Sequence, residues 1–188
     1  KTDVRNFGSG NLGGTNAGRV LGKKAGVTVI ILDGLKAFFV VGLCVLFVPE
    51  AAVYAGLACC AGHCFPIFAN FRGGKGVATL VGAIMGVNAP LVLLCFGVWF
   101  LVLMVTHYVS LASMVAGCSF PIFTLISPKV NHLVPFVVFS FIIAILLIYT
   151  HRKNIERLKA GTESKIYIWK PRHVKVDPEE AKDKGANK

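Results

Sequence analysis

Six apolar stretches, separated by only a few polar residues, limit what this chain can fold into more than any other feature. They comprise residues 25–48, 51–68, 76–87, 89–106, 108–126 and 133–149. A helix needs about 17–25 apolar residues to cross a bilayer, so five of the six are long enough. The stretch 76–87 would rise only about 18 Å. It predicts a short helix that opens from a polar cavity, or a re-entrant segment.

The composition agrees with a membrane protein. Of the 188 residues, 55% are hydrophobic and only 15% are charged, whereas a soluble domain carries about 25% charged residues. An ordinary soluble globule is therefore excluded. We predict an all-α polytopic membrane protein with about six transmembrane or re-entrant helices.

The positive charge follows the predicted topology. The formal net charge is +11, and eighteen of the twenty Lys and Arg residues lie in residues 1–24, in the loop 69–75 or after residue 149. These segments fall on the same side of the membrane, and the positive-inside rule makes that side, with both termini, cytoplasmic. Because topology accounts for the charge and no separate soluble domain remains, we expect no nucleic-acid partner.

A first polar cluster lies near the N-terminus, on the predicted cytoplasmic side. It contains Gly8, Ser9, Gly10, Asn11, Thr15 and Asn16, followed by Arg19. Glycines allow close approach of the backbone to a ligand, short polar side chains add donors, and the guanidinium group binds oxyanions. The cluster suits a phosphate group, although a flexible polar loop ahead of a helix would have the same composition.

A second cluster immediately precedes the short apolar stretch and contains Gly73, Gly74, Lys75 and Gly76. Free N–H groups and the positive end of a helix would meet an anion at this point. The spacing is not that of a Walker A loop, so ATP binding is not predicted. A tight loop that carries only a topology signal is the alternative.

A third cluster, residues 151–165, begins where the last apolar stretch ends. His151, Asn154 and Leu158 have the spacing of one helix face. A histidine beside an asparagine at the membrane boundary is able to hold and polarise a substrate oxygen. The surrounding charges also fit a solvated juxtamembrane helix that binds anionic lipid.

Several polar residues lie closer to the membrane interior. Asp33 and Lys36 are one helical turn apart inside a predicted span, where ionisable groups are costly; a structural ion pair and a role in the site both remain open. Ser110 and Ser113 follow His107 at a cytoplasmic turn. They either line the same cavity or pack helices together.

The six cysteines form no CxxC pair. The run with Cys59, Cys60, His63 and Cys64 contains metal-ligating residue types, but small residues that pack helices explain it more simply. We expect no metal site and no cofactor.

Together the three clusters, in this order, resemble the bacterial acyl-phosphate:glycerol-3-phosphate acyltransferase family, the PlsY proteins. The resemblance includes Asp33 with Lys36 and residues 108–113, and it covers nearly everything before the tail. It implies a seven-helix enzyme of the bacterial cytoplasmic (inner) membrane with its active site toward the cytoplasm. The six stretches would then be this fold without its first helix, which we expect to precede Lys1.

The resemblance also implies a reaction. A fatty acyl group would pass from acyl phosphate to the 1-hydroxyl of glycerol 3-phosphate, giving lysophosphatidic acid and inorganic phosphate in the first acylation step of phospholipid synthesis. The soluble enzyme that produces acyl phosphate would be the metabolic partner.

By the same resemblance, certain positions match the polar residues that the family uses at its phosphate site. The expected catalytic residues are Ser9, Arg19, Lys75, His151 and Asn154. The expected substrate-binding residues are Gly8, Gly10, Asn11, Thr15, Asn16, Lys36, Gly73, Gly74, Gly76 and Ser110.

Two rival functions have sequence features that discriminate them. A small-anion transporter also uses short helices and glycine breaks, but its pathway would place polar groups on both sides of the midplane. An acyl-CoA-dependent acyltransferase with an HxxxxD motif would need Asp five residues after a His, and no His in this chain has one. We expect residues 1–165 to form the membrane acyltransferase domain. Residues 166–188 should form a cytoplasmic tail, an amphipathic membrane-surface segment followed by disorder.

Overall fold

The computed structural model describes residues 3–130 and 133–167, and this part of the chain is helical with no strand. Most of the predicted tail therefore lies outside the described residues. The helices are α1 (Gly14–Val20), α2 (Lys23–Phe47), α3 (Ala52–Cys64), α4 (Val77–Val87), α5 (Ala89–Thr106), α6 (Val109–Ile126), α7 (Val134–Thr150) and α8 (Arg152–Lys159).

Helix lengths confirm a polytopic membrane fold. Among the described residues, four segments are long and apolar enough to span a bilayer: α2, the segment Pro49–Ala69 that contains α3, α5 and α6. The α7–α8 pair, bent by 55°, makes a fifth if it counts as one span. Helix α4 has only 11 residues, which confirms the prediction that the third apolar stretch is too short to cross.

The second apolar stretch ends as a helix earlier than its composition predicts. Helix α3 stops at Cys64 rather than continuing to residue 68. Pro66 follows directly, and proline both lacks an N–H group and disfavours helical backbone in the residue before it. The chain then makes a short 3₁₀ turn over Ile67–Ala69 and doubles back towards α4.

Helix α1 lies in a segment whose composition also fits a polar loop. It crosses α2 where Gly18 approaches Gly26 so closely that a Cβ on Gly26 would stand 2.6 Å from the Gly18 Cα. Small residues let helix backbones approach in this way. The crossing fixes the position of α1 and, with it, the polar residues on its surface.

The junction of α7 and α8 is joined to the loop that precedes α4. The chain bends at His151, between the two helices. The Thr150 hydroxyl donates a hydrogen bond to the Lys75 carbonyl oxygen at 3.2 Å. The bend and this bond bring the second and third polar clusters together.

Candidate active site

A cavity of about 430 Å³ lies between the helices and receives residues from all three polar clusters. Ten of the fifteen residues expected at the site line it: Ser9, Asn11, Thr15, Asn16, Arg19, Lys75, Gly76, Ser110, His151 and Asn154. Five do not: Gly8, Gly10, Lys36, Gly73 and Gly74. Residues more than 140 positions apart in the sequence thus meet around one space.

Asn16 holds the first cluster in shape. Its Oδ1 accepts a hydrogen bond from the Ser9 N–H at 2.8 Å, and its Nδ2 lies 2.9, 3.1 and 2.9 Å from the carbonyl oxygens of Val4, Phe7 and Asn11. The side chain is buried, and both of its amide hydrogens are engaged. Asn16 therefore positions Ser9 and does not offer its amide donors to a substrate, which corrects its expected binding role.

Asn11 ties the first cluster to the second. Its Nδ2 donates to the Gly73 carbonyl oxygen at 3.3 Å, and its Oδ1 accepts from the Gly13 N–H at 2.8 Å. The two clusters therefore form one wall of the cavity rather than two independent loops.

Two glycines of the second cluster form hydrogen bonds within the protein backbone. The Gly73 and Gly74 N–H groups donate to the carbonyl oxygens of Cys64 and His63, at 3.2 and 3.1 Å. A Cβ on either glycine would collide with His63. These glycines let the loop pack against the end of α3, whose last carbonyls need partners. Their N–H groups are thus engaged within the protein, and of this run Gly76 and Lys75 line the cavity.

Two cations line the cavity. Arg19 is exposed and Lys75 is half-buried. The pKa of Lys75 is lowered to about 8, mainly by burial and also by the charges of Arg157 and Arg19, against the opposing charge of Glu163. Lys75 is thus a cation whose charge is poorly solvated, and an anionic ligand would restore what burial removes.

His151 is held as a neutral ring in one tautomer. Only 2% of the residue is exposed, and its Nδ1 lies 2.8 Å from the Leu147 carbonyl oxygen. Because a carbonyl oxygen only accepts, Nδ1 carries the proton and Nε2 keeps a lone pair. Burial, followed by the charge of Lys75, lowers the pKa of His151 to about 4, so the ring is uncharged at neutral pH.

Glu163 is a cavity residue that the sequence argument did not single out. Its Oε1 accepts hydrogen bonds from Ser110 Oγ and Asn154 Nδ2, each at 2.8 Å, and its Oε2 accepts from Arg157 Nε at 2.7 Å. Burial alone would raise the pKa of Glu163, but these three hydrogen bonds outweigh it and hold the pKa below its usual value. The only signal in the sequence was an acidic residue within a basic cluster.

Asn154 is oriented by this carboxylate. With its amide nitrogen donating to Glu163, the side-chain oxygen of Asn154 is buried and accepts no hydrogen bond from the described residues. Since Asn154 lines the cavity, this oxygen is available to accept a hydrogen bond from a ligand.

Lys36 lies outside the cavity lining but contacts two residues within it. Its Nζ is 2.6 Å from Asp33 Oδ1 and 2.9 Å from His63 Nδ1. Asp33 and His63 both line the cavity. The pair that the sequence left open is therefore an ion pair at the cavity wall, extended by a histidine from α3.

Part of the cavity lining is apolar. Ile84, Val92 and Phe120 line the cavity and belong to the buried core. The Phe120 ring packs edge-on against Phe136 and Phe139, with centroids 5.9 and 6.2 Å apart. The cavity thus has both cationic, hydrogen-bonding residues and apolar core residues in its lining.

The apolar helices and the mixed lining of this cavity define an integral membrane protein with a binding site that is both polar and apolar. A sequence model of the family described as glycerol-3-phosphate acyltransferase matches residues 1–161. The chain belongs to this family and is an acyltransferase.

Individual relatives agree with this assignment. A glycerol-3-phosphate acyltransferase of Thermoanaerobacter pseudethanolicus is 44% identical, over 88% of this chain and 83% of the relative. Glycerol-3-phosphate acyltransferase 2 of Bacillus anthracis is 45% identical, over 88% and 86%. The crystal structure of PlsY (YgiH), an integral membrane glycerol 3-phosphate acyltransferase, in its glycerol 3-phosphate form, is 40% identical with a TM-score of 0.84, covering 88% of this chain and 83% of that one.

Proposed function

We propose that this protein transfers a fatty acyl group from acyl phosphate to the 1-hydroxyl of glycerol 3-phosphate, releasing lysophosphatidic acid and inorganic phosphate. The observation that carries the proposal is the cavity that Arg19 and Lys75 line together with apolar core side chains such as Ile84 and Phe120. Both substrates carry phosphate, and the donor also carries an acyl chain. A cavity with both kinds of lining suits both.

The cations offset the repulsion between two phosphate groups. Like charges brought together where water is partly excluded repel strongly. Lys75, whose pKa is lowered because its charge is poorly solvated, gains most from a phosphate beside it. Ser9 and Thr15 add short hydrogen-bonding groups to the cavity lining.

Transfer needs no covalent enzyme intermediate. Acyl phosphate is a mixed anhydride with a good leaving group. The 1-hydroxyl oxygen attacks the acyl carbon, a new C–O ester bond forms, and the bond from the acyl carbon to the phosphate oxygen breaks. The departing phosphate keeps the electron pair, which Lys75 and Arg19 stabilise.

His151 orients the hydroxyl rather than removing its proton. Nε2 accepts the hydrogen bond of the 1-hydroxyl because Nδ1 already carries the ring proton. With a pKa of about 4, the ring is a weaker base than a phosphate dianion, whose conjugate acid has a pKa of about 6. A substrate phosphate therefore takes the proton, and the Asn154 side-chain oxygen adds a second acceptor for a substrate hydroxyl.

The expected location and domain division are part of this proposal. The positive-inside distribution of Lys and Arg supports a site that opens toward the cytoplasm at the bacterial inner membrane. Residues 1–165 would form the acyltransferase domain and 166–188 the tail. The three polar clusters all fall on the same predicted side of the membrane, which favours this enzyme over a small-anion transporter.

The donor is the feature to test first. Purified full-length protein is supplied with glycerol 3-phosphate and either palmitoyl phosphate or palmitoyl-CoA, and lysophosphatidic acid and released phosphate are measured. We expect both products, in equal amounts, from palmitoyl phosphate. Product from palmitoyl-CoA alone, or from neither donor, would overturn the proposal.

A further inference from the structure

Two apolar segments end side by side at a pair of exposed aromatic rings. Phe65 directly follows α3 within the segment Pro49–Ala69, and Tyr149 is the last residue but one of α7. The two ring centroids are 6.5 Å apart, and 39% of Phe65 and 52% of Tyr149 are exposed. Tyrosine is enriched where a membrane span meets the membrane–water interface. The Phe65–Tyr149 pair therefore has the position of an interfacial aromatic contact.

Arg152 is held on the Tyr149 ring. Its guanidinium carbon is 4.5 Å from the ring centroid, and its Nη1 donates a hydrogen bond to the Tyr149 carbonyl oxygen at 3.1 Å. A planar guanidinium group stacks on an aromatic face and is attracted to it electrostatically. Because both contacts come from Tyr149, across the bend at His151, the Arg152 side chain is ordered before any ligand binds.

The charge of Arg152 has no counterion in the described part of the chain. Glu156 follows one turn later on α8, but no salt bridge or hydrogen bond joins it to Arg152. A guanidinium group has five N–H donors, and a single hydrogen bond to the protein is formed by the described Arg152 side chain. Arg152 is also exposed. Its charge and most of its donors are therefore available to an external oxyanion.

The proposed reaction does not use this arginine. Arg152 does not line the cavity, whereas the preceding residue, His151, is buried and does. The bend between α7 and α8 thus has a cavity side that carries His151 and an outer surface that carries Arg152.

The predicted side of the membrane supplies the chemistry of a ligand for this surface. The Lys- and Arg-rich segments predict that the boundary at the ends of α3 and α7 is cytoplasmic. The cytoplasmic leaflet contains anionic phospholipids, which attract basic side chains close to the membrane surface. A guanidinium fork binds two phosphate oxygens at once, and aromatic rings offer apolar surface to the rest of the same molecule.

We propose that Phe65, Tyr149 and Arg152 form a binding site for one anionic phospholipid of the surrounding bilayer. The Arg152 guanidinium holds the headgroup phosphate, and the Phe65–Tyr149 pair contacts the upper part of the acyl chains. The lipid connects the end of α3 to the junction of α7 and α8, because Phe65 belongs to the first and Arg152 to the second. Bound lipid therefore stabilises the fold and takes no part in acyl transfer.

The unmodified protein tests the class of lipid first. It is purified in detergent, phosphatidylglycerol or phosphatidylcholine with the same acyl chains is added, and bound lipid is measured by native mass spectrometry. The net charge of phosphatidylglycerol should make its Kd roughly fivefold lower. It should also raise the unfolding temperature more, since a ligand that binds only the folded state stabilises it. Equal binding of the two lipids overturns the proposal without any variant having to fold.

Neutral variants locate the site. Arg152→Gln removes the proposed phosphate ligand, and Lys153→Gln removes the adjacent exposed cation of the same helix, which is stacked on no aromatic ring of the described residues. Loss of a charge-assisted hydrogen bond should raise the Kd of phosphatidylglycerol roughly tenfold in Arg152→Gln and much less in Lys153→Gln. Arg152→Lys should keep part of the affinity, because the charge remains but the fork is lost. A Kd in Arg152→Gln no higher than that in Lys153→Gln refutes the site, because diffuse positive charge then accounts for binding.

The aromatic part of the site is tested at Tyr149. Tyr149→Leu keeps an apolar side chain but removes the ring under the guanidinium group, whereas Tyr149→Phe keeps the ring. Loss of the cation–π contact should raise the Kd of phosphatidylglycerol about two- to fivefold in Tyr149→Leu. Equal Kd values in the two variants would contradict the role of the ring.

Activity separates a phospholipid from acyl phosphate, which is also an anionic amphiphile. In detergent without phosphatidylglycerol, Arg152→Gln should have the same KM for palmitoyl phosphate as the unmodified protein, because Arg152 does not line the cavity. A raised KM under these conditions assigns the residue to the substrate and overturns the proposal. If the unmodified protein makes no lysophosphatidic acid, the proposed function fails, and the lipid-binding measurements still decide this inference.

Discussion

Replacing Lys75 tests how burial tunes the phosphate site. Lys75→Met keeps a similar length of side chain but removes the charge. If the ammonium binds phosphate, losing a charge-assisted contact costs about 1.5–3 kcal/mol, or roughly tenfold to 150-fold in KM. Arg72→Gln is the matched control, because it removes an exposed cation from the same loop that does not line the cavity.

The pH dependence follows from the lowered pKa of Lys75. The folded, ligand-free protein loses this charge as pH rises through about 8, whereas His151, with a pKa of about 4, does not change in this range. We therefore expect kcat/KM for glycerol 3-phosphate to be level between about pH 7, where most of the phosphate is a dianion, and pH 8, and to fall about tenfold per pH unit above pH 8. In Lys75→Arg the guanidinium stays charged, and this break should disappear.

The same pKa predicts a cost in stability. Lys75 has a pKa of about 8 in the folded protein against its usual 10.5, a difference that corresponds to about 3 kcal/mol. Because the folded state binds the proton more weakly, the cost is complete below pH 8, shrinks between pH 8 and 10.5, and vanishes above. Lys75→Met should thus unfold at a higher temperature than the unmodified protein at pH 7. This difference in unfolding temperature should disappear at alkaline pH.

The assay is phosphate release from palmitoyl phosphate across pH 6–10, with thermal unfolding of each variant in the same detergent. A break near pH 8 that persists in Lys75→Arg would refute the assignment of the break to Lys75. A Lys75→Met variant with unchanged KM would refute the phosphate contact. Arg72→Gln should match the unmodified protein in both measurements.

Three further predictions concern the loops around the cavity. Gly74→Ala should raise KM in steady-state assays, because its Cβ would collide with His63. Gly62→Ala, which has open space at its Cβ, should leave KM unchanged. Similar KM values for the two variants would contradict this account. Asn16→Ala should lower the free energy of unfolding by about 1–3 kcal/mol, measured by thermal unfolding, because it releases the first loop; an unchanged unfolding temperature would count against it. Glu163→Gln should unfold at a lower temperature at pH 7 than the unmodified protein. Because the pKa of Glu163 is depressed in the folded protein, the stabilisation by its carboxylate is lost as the pH falls through that pKa. A difference in unfolding temperature between the two proteins that stays constant into the acid range would disprove the ion-pair role.

Some features of this protein follow from local sequence pattern. The stretch 89–106 coincides with α5, and the short third stretch is the short helix α4. Both succeed because apolar length alone decides whether a segment crosses a bilayer. The stretch 51–68 lies within the span Pro49–Ala69, but its α-helix ends at Cys64 because of Pro66, which hydrophobicity alone does not indicate.

The glycines show where pattern reasoning fails. Gly73 and Gly74 have the composition of a phosphate-binding loop, yet their N–H groups bind the end of α3. A glycine-rich composition indicates that the backbone approaches another group closely, but it does not identify that group. Likewise, no spacing rule connects Glu163 to Ser110, 53 positions away.

The sequence by itself determined the class of fold, the membership of the three polar clusters and, by resemblance, the family. These are properties of single segments or of motifs in order, and each is encoded within a short stretch of chain. Only the tertiary structure decided which N–H groups remain free, which histidine nitrogen carries the proton, and that burial lowers the pKa of Lys75. Those depend on distances and solvent exclusion between helices that are remote in sequence, and they exist only when the helices pack.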